Sequence, residues 1–382
     1  MRLLLLEALT AGWYGDAHAL VKEGLTMWRA ALTDCLDASY HVTTLIAASL
    51  VDHVVASPKL QLLVATSAQE IEQRWSDLTS GSDAAWIIAP EENQLLERLV
   101  ASSRCPCWNA TPVAIRRCAD KFFLAQWCHR HGIPVIPTWL GHDFPWSTCS
   151  VEDLVLKPRY GAGCRDTRRG SAAEIRSQLI SYSDPHEWVI QPWIEGQSFS
   201  TALIAGEGEV PWMGSPCWQH IICKVGGWLE YAGGLAPAVL PISCRERVQH
   251  FMVRIVESIP GLWGWVGFDW LLPSGSHEPL LCEINPRLTT SYVAHRVLSP
   301  EPLVPLIAGC FLPSSPGDET YDIASFTAFS SEEEVTDNKK AITVTFTADG
   351  EVLVHSPLCD SDVTLIRASV HNASHRSDDQ SS

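Results

Sequence analysis

One stretch constrains this chain more than any other: Gly264–Tyr292, GWVGFDWLLPSGSHEPLLCEINPRLTTSY. Two apolar runs, Val266–Leu272 and Pro279–Ile284, flank a Pro/Ser/Gly loop, the pattern of a β-hairpin. Side chains alternate across a strand, so Glu283 and Asn285 share a face. With Leu272 paired to Leu280, Asp269 stands opposite Glu283. Opposed carboxylates on neighbouring strands destabilise a sheet unless something neutralises them. Solvent-facing acids with Arg287 neutralising Glu283 would be one answer. The neighbours argue otherwise: Trp265, Phe268, Trp270, Leu281 and Ile284 describe a buried strand pair, where unpaired acids are expensive. Asp269, Glu283 and Asn285 together offer the hard oxygens that suit Mg²⁺ (or Mn²⁺) beside nucleotide phosphates. Pro286 ends the strand, and Arg287 emerges at the mouth of the same site.

A chain of 382 residues that is 46% apolar can bury a large core and divide into two or three domains. Its net charge of −17 argues against a nucleic-acid partner, which needs a basic footprint. The 13 cysteines are scattered, and Leu3–Leu6 is cut short by Glu7, too early for a signal core. Reduced thiols, a cytoplasmic location and no membrane segment are the expectation. Cys105 and Cys107 form a close pair without a second pair to complete a zinc site.

Residues 1–115 alternate strand and helix: Arg2–Glu7, Asp16–Leu36, His41–Leu45, Ala84–Ile88 and Gln94–Ser102. That order implies a parallel sheet covered by helices. Ala19, Leu20, Glu23–Leu25, Met27 and Trp28 lie at helical spacing and read as core packing. Asp120 caps a helix running to His131, which Gly132 stops. Lys121 in its first turn opposes the helix dipole and points to an anion nearby. The strand Val155–Pro158 ends in Lys157 and Pro158, and Gly161 and Gly163 follow in a turn whose backbone N–H groups can approach phosphates. Arg165, Arg168 and Arg169 read as a solvated face or as added positive charge. Lys224 could reach phosphates and the Tyr231–Pro237 segment could form a substrate loop, but both read first as structure. A helix Cys244–Ser258 precedes the hairpin, and His295 and Arg296 follow it. Residues 313–335 read as a linker, Ala341–Thr347 with Val352–His355 as a closing hairpin, and the tail from His371 as disordered.

These motifs, in this order, resemble the ATP-grasp superfamily. GFDWLL with LCEINPRLTTSY is similar to its closing motif, ADKFFLAQWCHRHGIPVIPTW to its lysine-led helix segment, and Lys157 to Gly163 to its lid loop. The ending INPRLTTSY and, more loosely, Val21–Leu32 resemble the tyramine–glutamate ligase branch. The resemblance implies an α/β fold, α+β in the ATP-grasp part. A preATP-grasp domain (1–115) would precede a two-subdomain ATP-grasp domain (116–312, lid about 150–192). A linker and C-terminal hairpin (313–370) and a disordered tail (371–382) would follow. It further implies ATP on Lys121, Lys157, Gly161 and Gly163, adenine along Gln191, Trp193 and Ile194, and Mg²⁺ on Asp269, Glu283 and Asn285. Arg287 would act on the transferring phosphoryl group. Ser198 falls where many members place an acid for the ribose hydroxyls, and Gln191 replaces another acid. The activity implied is ATP-dependent carboxylate–amine ligation through an acyl phosphate, with glutamate and a tyramine-like amine as candidates. The alternative is an ATP-binding regulatory module without catalysis. Partners would be small-molecule substrates, with no nucleic acid and no membrane; self-association into a homo-oligomer is left open.

Overall fold

A computed structural model describes residues 1–15, 18, 20–311, 342–349, 351–355 and 364–366. The N-terminal part is the parallel α/β layer the alternation predicted. Strands β1 (Arg2–Glu7), β2 (His41–Ala47), β3 (Leu60–Ala65) and β4 (Ala84–Ile88) form one sheet in the order β3-β2-β1-β4. Helices α1 (Val21–Asp37), α2 (Ala68–Ser80) and α3 (Leu95–Ser102) alternate with them. β1 and β4 are buried nearly throughout, as a parallel strand covered on both faces should be. Strand β3 and helix α2 went unread in the sequence. Yet Ile71, Trp75 and Thr79 bury one stripe of α2, and Ser67 caps it by accepting from the Glu70 N–H. Helix α1 begins at Val21 instead of Asp16, which lies outside the described residues.

Helices α4 (Pro112–Ala119) and α5 (Lys121–Arg130) lead into a small antiparallel sheet of β5 (Trp139–Leu140), β6 (Asp153–Pro158), β7 (Arg168–Ser171) and β8 (Trp188–Pro192), in the order β5-β8-β6-β7, carrying α6 (Ala172–Ile180). Asp120 caps α5 as expected, accepting from the N–H groups of Phe122 and Phe123. Gly132, at φ 64°, ends it in the left-handed conformation.

Among the described residues the largest sheet gathers nine strands: β9 (Gly196–Gly206), β10 (Glu209–Met213), β11 (Cys217–Cys223), β12 (Leu229–Ala236), β13 (Gly264–Pro273), β14 (Leu280–Asn285), β15 (Thr343–Thr347), β16 (Val352–His355) and β17 (Thr364–Ile366). Helix α7 (Ile242–Ser258) precedes the β13–β14 hairpin; α8 (Tyr292–Leu298) and α9 (Val304–Gly309) follow it. The expected C-terminal hairpin is formed by β15 and β16, and it extends this sheet because β15 pairs with β12. The linker and tail expected from 313 and 371 lie outside the described residues. β13 is the spine, with Val266, Phe268 and Trp270 fully buried. The Trp270 indole N–H still finds the Thr201 hydroxyl at 2.9 Å, so its burial strands no polar atom. Apolar contact joins the domains: Leu3, Leu5 and Trp86 of the first layer share a core with Trp265 and Tyr292. No described helix is long and apolar enough to cross a membrane.

Candidate active site

The hairpin does oppose Asp269 to Glu283, by a route the sequence did not predict. Leu280 pairs with Leu271, not Leu272, and a β-bulge between Asp269 and Trp270 takes up the difference. Cys282 is the extra residue. Gly267 is required in β13, since a Cβ there would sit 2.5 Å from the Thr289 side chain.

The loop end of α5 and the end of β6 converge on this pair. Lys157 donates to Glu283 at 3.0 Å, and Lys121 stands 3.8 Å from the same oxygen. Lys121 also donates to the Gly161 carbonyl at 2.9 Å, so the lysine that opposes its helix dipole is held by the glycine turn. Asp120 binds the turn too, accepting from Arg159 and from the Tyr160 hydroxyl. Gly163, at φ 66°, packs so closely on α1 that a Cβ would meet Leu20 at 2.9 Å. Glycine is needed there for both conformation and space.

The charges are unevenly matched. Burial works against the Glu283 carboxylate, but Lys121 and Lys157 outweigh it and hold its pKa below the usual range. Burial likewise opposes charge on both lysines. Lys157, hydrogen-bonded to Glu283, is still raised, whereas Lys121, farther off and repelled by Lys157, is lowered. Asp269 has only amide partners, accepting from Gln219 at 2.7 Å and from Asn285 at 2.8 Å. Burial and the neighbouring Glu283 push its pKa up to about 6. Two opposed acids, one of them without a cation, are a donor set that a divalent ion fits. Among the described residues no three His, Cys, Asp or Glu side chains converge as a metal site, because the third member of this set is an amide.

One cavity is lined by Lys121, Lys157, Gly161, Gly163, Gln191, Trp193, Ile194, Ser198, Asp269, Glu283, Asn285 and Arg287, and Arg165 borders it too. Gln191 is buried and donates to the Thr138 hydroxyl at 2.8 Å. Ser198 lies on β9 opposite Leu271. Arg287 lines the cavity but is already matched, forking onto Glu91 of the first domain at 2.9 and 3.2 Å. Both members of that pair are buried.

Other candidates lie elsewhere. Lys224 pairs with Glu230, Arg168 binds the Gly226 carbonyl and Gln178, and Arg169 binds Asp153 and stacks on Trp193. His295 is buried among Trp212, Trp265 and Cys217, and Arg296 pairs with Asp34 and Asp37. Cys105 and Cys107 lie outside the cavity lining. Sequence reasoning missed Glu23, Gln219, Thr289, Thr290 and Ser291 as lining residues, and Tyr231 enters the lining from strand β12. An acid on the buried face of α1 was the available signal for Glu23.

Residues 118–291 match the family model described as the ATP-grasp domain, and residues 40–104 match the one described as the pre ATP-grasp 3 domain. The chain belongs to the ATP-grasp superfamily. A tyramine–L-glutamate ligase from Methanocaldococcus fervens is 24% identical over 76% of this chain and 87% of its own length. An ATP-grasp superfamily protein from Archaeoglobus fulgidus superposes with a TM-score of 0.62 at 26% identity, covering 84% of this chain and 95% of that one. The D-alanine–D-alanine ligase of Bacillus anthracis, solved with ATP, superposes at 0.56 with 12% identity, over 81% of this chain and 97% of that one; it shows the fold alone. The ATP-grasp assignment accounts for the layer order, with the pre ATP-grasp match on the parallel sheet and the ATP-grasp match ending just past the hairpin.

Proposed function

We propose that the protein is an ATP- and Mg²⁺-dependent ligase that joins a carboxylate to an amine through an acyl phosphate. One arrangement carries the reading: Asp269 and Glu283 oppose each other across a strand pair, in a cavity where Lys121 and Lys157 already converge on Glu283. A carboxylate is a poor electrophile until it is phosphorylated, and the protein's task is then to position reactants and neutralise moving charge. Mg²⁺ (or Mn²⁺), when bound, supplies positive charge to phosphate oxygens, and Asp269, Glu283 and Asn285 are the residues that would hold it.

The remaining work falls to the chain. Lys121 and Lys157 turn from Glu283 and the Gly161 carbonyl to phosphate oxygens, while the Gly161–Gly163 backbone lies over them. The segment from Gln191 through Trp193 to Ile194 offers the adenine its backbone groups. Ser198 offers the ribose a hydroxyl, a weaker partner than a carboxylate. Arg287 takes the smaller share of phosphoryl charge, because Glu91 already neutralises it. No Ser/His/Asp or Cys/His nucleophile is needed for this chemistry. Similarity to the M. fervens enzyme makes glutamate and a tyramine-like amine the first substrates to try.

The test is an ADP-release screen of L-glutamate and other L-amino acids against a panel of primary amines, with product masses recorded. The reading expects ADP together with the condensed acid–amine product for at least one pair. If ATP binds and raises the melting temperature but no pair releases ADP, the protein is the non-catalytic binding module instead.

A further inference from the structure

We propose that Glu23 is a receptor for the ammonium group of the carboxylate-bearing substrate, making that substrate an amino acid rather than a simple acid. The inference rests on the ligase reading above and extends it to the part of the cavity that α1 contributes. Glu23 lines the cavity from α1, as do Tyr231, Thr290 and Arg287 from other elements. Its carboxylate accepts one hydrogen bond, from the Thr290 hydroxyl at 2.5 Å. Among the described residues no Lys, Arg or His stands within ion-pair distance of it, whereas Glu283 has Lys157 at 3.0 Å and Glu91 has Arg287 at 2.9 Å. Burial makes a carboxylate there costly and raises its pKa, with Thr290 and the charge of Arg287 offsetting this only in part, so the group gains from a cation brought to it. A carboxylate accepts about four hydrogen bonds, so most of its capacity here is open.

The chemistry of the partner follows from these surroundings. One carboxylate beside a hydroxyl and a phenol is too poor an oxygen set for a divalent ion, which asks for about six ligands. It suits an ammonium, whose three N–H donors can be shared between a charged acceptor and neutral oxygens. The charged acceptor also decides which ammonium. A carboxylate stabilises the protonated form, which cannot attack an acyl phosphate, so the group it holds is a spectator. The attacking amine must come from elsewhere. The site is also enclosed, because the glycine turn leaves no room at Gly163 for a Cβ beside Leu20 and Glu23.

The experiment compares wild type, Glu23→Gln and Glu23→Asp. First, titration calorimetry measures binding of the common L-amino acids, and of glutarate as the des-amino match to glutamate, to protein saturated with Mg²⁺ and a non-hydrolysable ATP analogue. Second, the ADP-release screen is run with the same acids. A melting-temperature rise on adding the ATP analogue, equal in all three proteins, shows that the variants fold and bind nucleotide. Wild type should bind one amino acid at least about tenfold more tightly than its des-amino match, since a site built around a polar group rejects ligands lacking it. Glu23→Gln should erase that preference and raise the amino-acid KM about tenfold with the ATP KM unchanged; Glu23→Asp should lose less. If Glu23→Gln keeps the preference, or if wild type binds no amino acid, the receptor is refuted. ADP release with an acid that carries no amine, in wild type, would refute it while leaving the ligase reading intact. Glu23-dependent amino-acid binding without any ADP release would do the reverse.

Discussion

Two charge pairs of nearly equal length meet at this cavity, one inside it and one reaching away from it, and they serve opposite ends. Lys157 meets Glu283 at 3.0 Å and Arg287 meets Glu91 at 2.9 Å. The first pair lies within one domain, and its members are point charges on flexible stems or acids that still show surface to the cavity. The second joins one domain to the other through a planar fork, with both partners almost sealed from water. A lysine can trade a carboxylate for a phosphate at little cost, since one anion replaces another. A forked guanidinium that leaves its buried acid strands a charge. The same chemical pairing is therefore an exchangeable ligand site in one place and a fastening in the other.

That contrast breaks most sharply at Glu283. Glu283→Gln should lower ADP formation by about 10³-fold while the unfolding midpoint moves only slightly. Retained turnover would remove the metal assignment and, with it, the difference between the two pairs. Arg287→Ala should behave in the opposite sense, costing about 3–5 kcal/mol in urea unfolding because Glu91 is left buried and uncompensated. Lys157→Ala, measured alongside, should cost about 1 kcal/mol, since water entering the cavity can solvate Glu283. Equal losses in the two variants would erase the distinction.

A smaller effect sharpens the fastening end. Glu7 sits at the end of β1, close enough to Arg287 to feel its charge, and accepts from the Thr10 N–H at 2.6 Å. Burial outweighs these partners and raises its pKa from 4.5 to about 7. A raised carboxyl favours the protonated folded form, so its contribution is complete below pH 4.5 and lost as pH climbs through 7. The loss amounts to about 3 kcal/mol. Urea unfolding across that window should show a falling stability in wild type that Glu7→Gln flattens by this amount; parallel curves would contradict it.

How much of this could be read from the sequence follows from the range of each interaction. The acids of the hairpin, the Asp120 cap and the glycine turn after Lys157 declare themselves within a few residues, and all lie where local patterning predicted. Helix α2 carried equally local signals in Ser67, Ile71 and Trp75, and went unread. The partner of Arg287 is another matter: Glu91 is 196 residues away, and nothing in either neighbourhood names the other. Glu23 was hidden for a related reason. On the helix it looks like one more core position, and only the packing of α1 against the glycine turn and Thr290 turns it towards a cavity.

The spare residue in β14 decides which way one acid looks. Were Cys282 instead to pair in an unbroken ladder from Leu280, it would stand opposite Asp269, and Glu283 would face Phe268 and point its acid into oil. Shortening the strand by that residue would leave the two acids opposed, whereas ironing the bulge flat would rotate Glu283 away; a thiol with no chemistry of its own holds the register by staying out of the ladder.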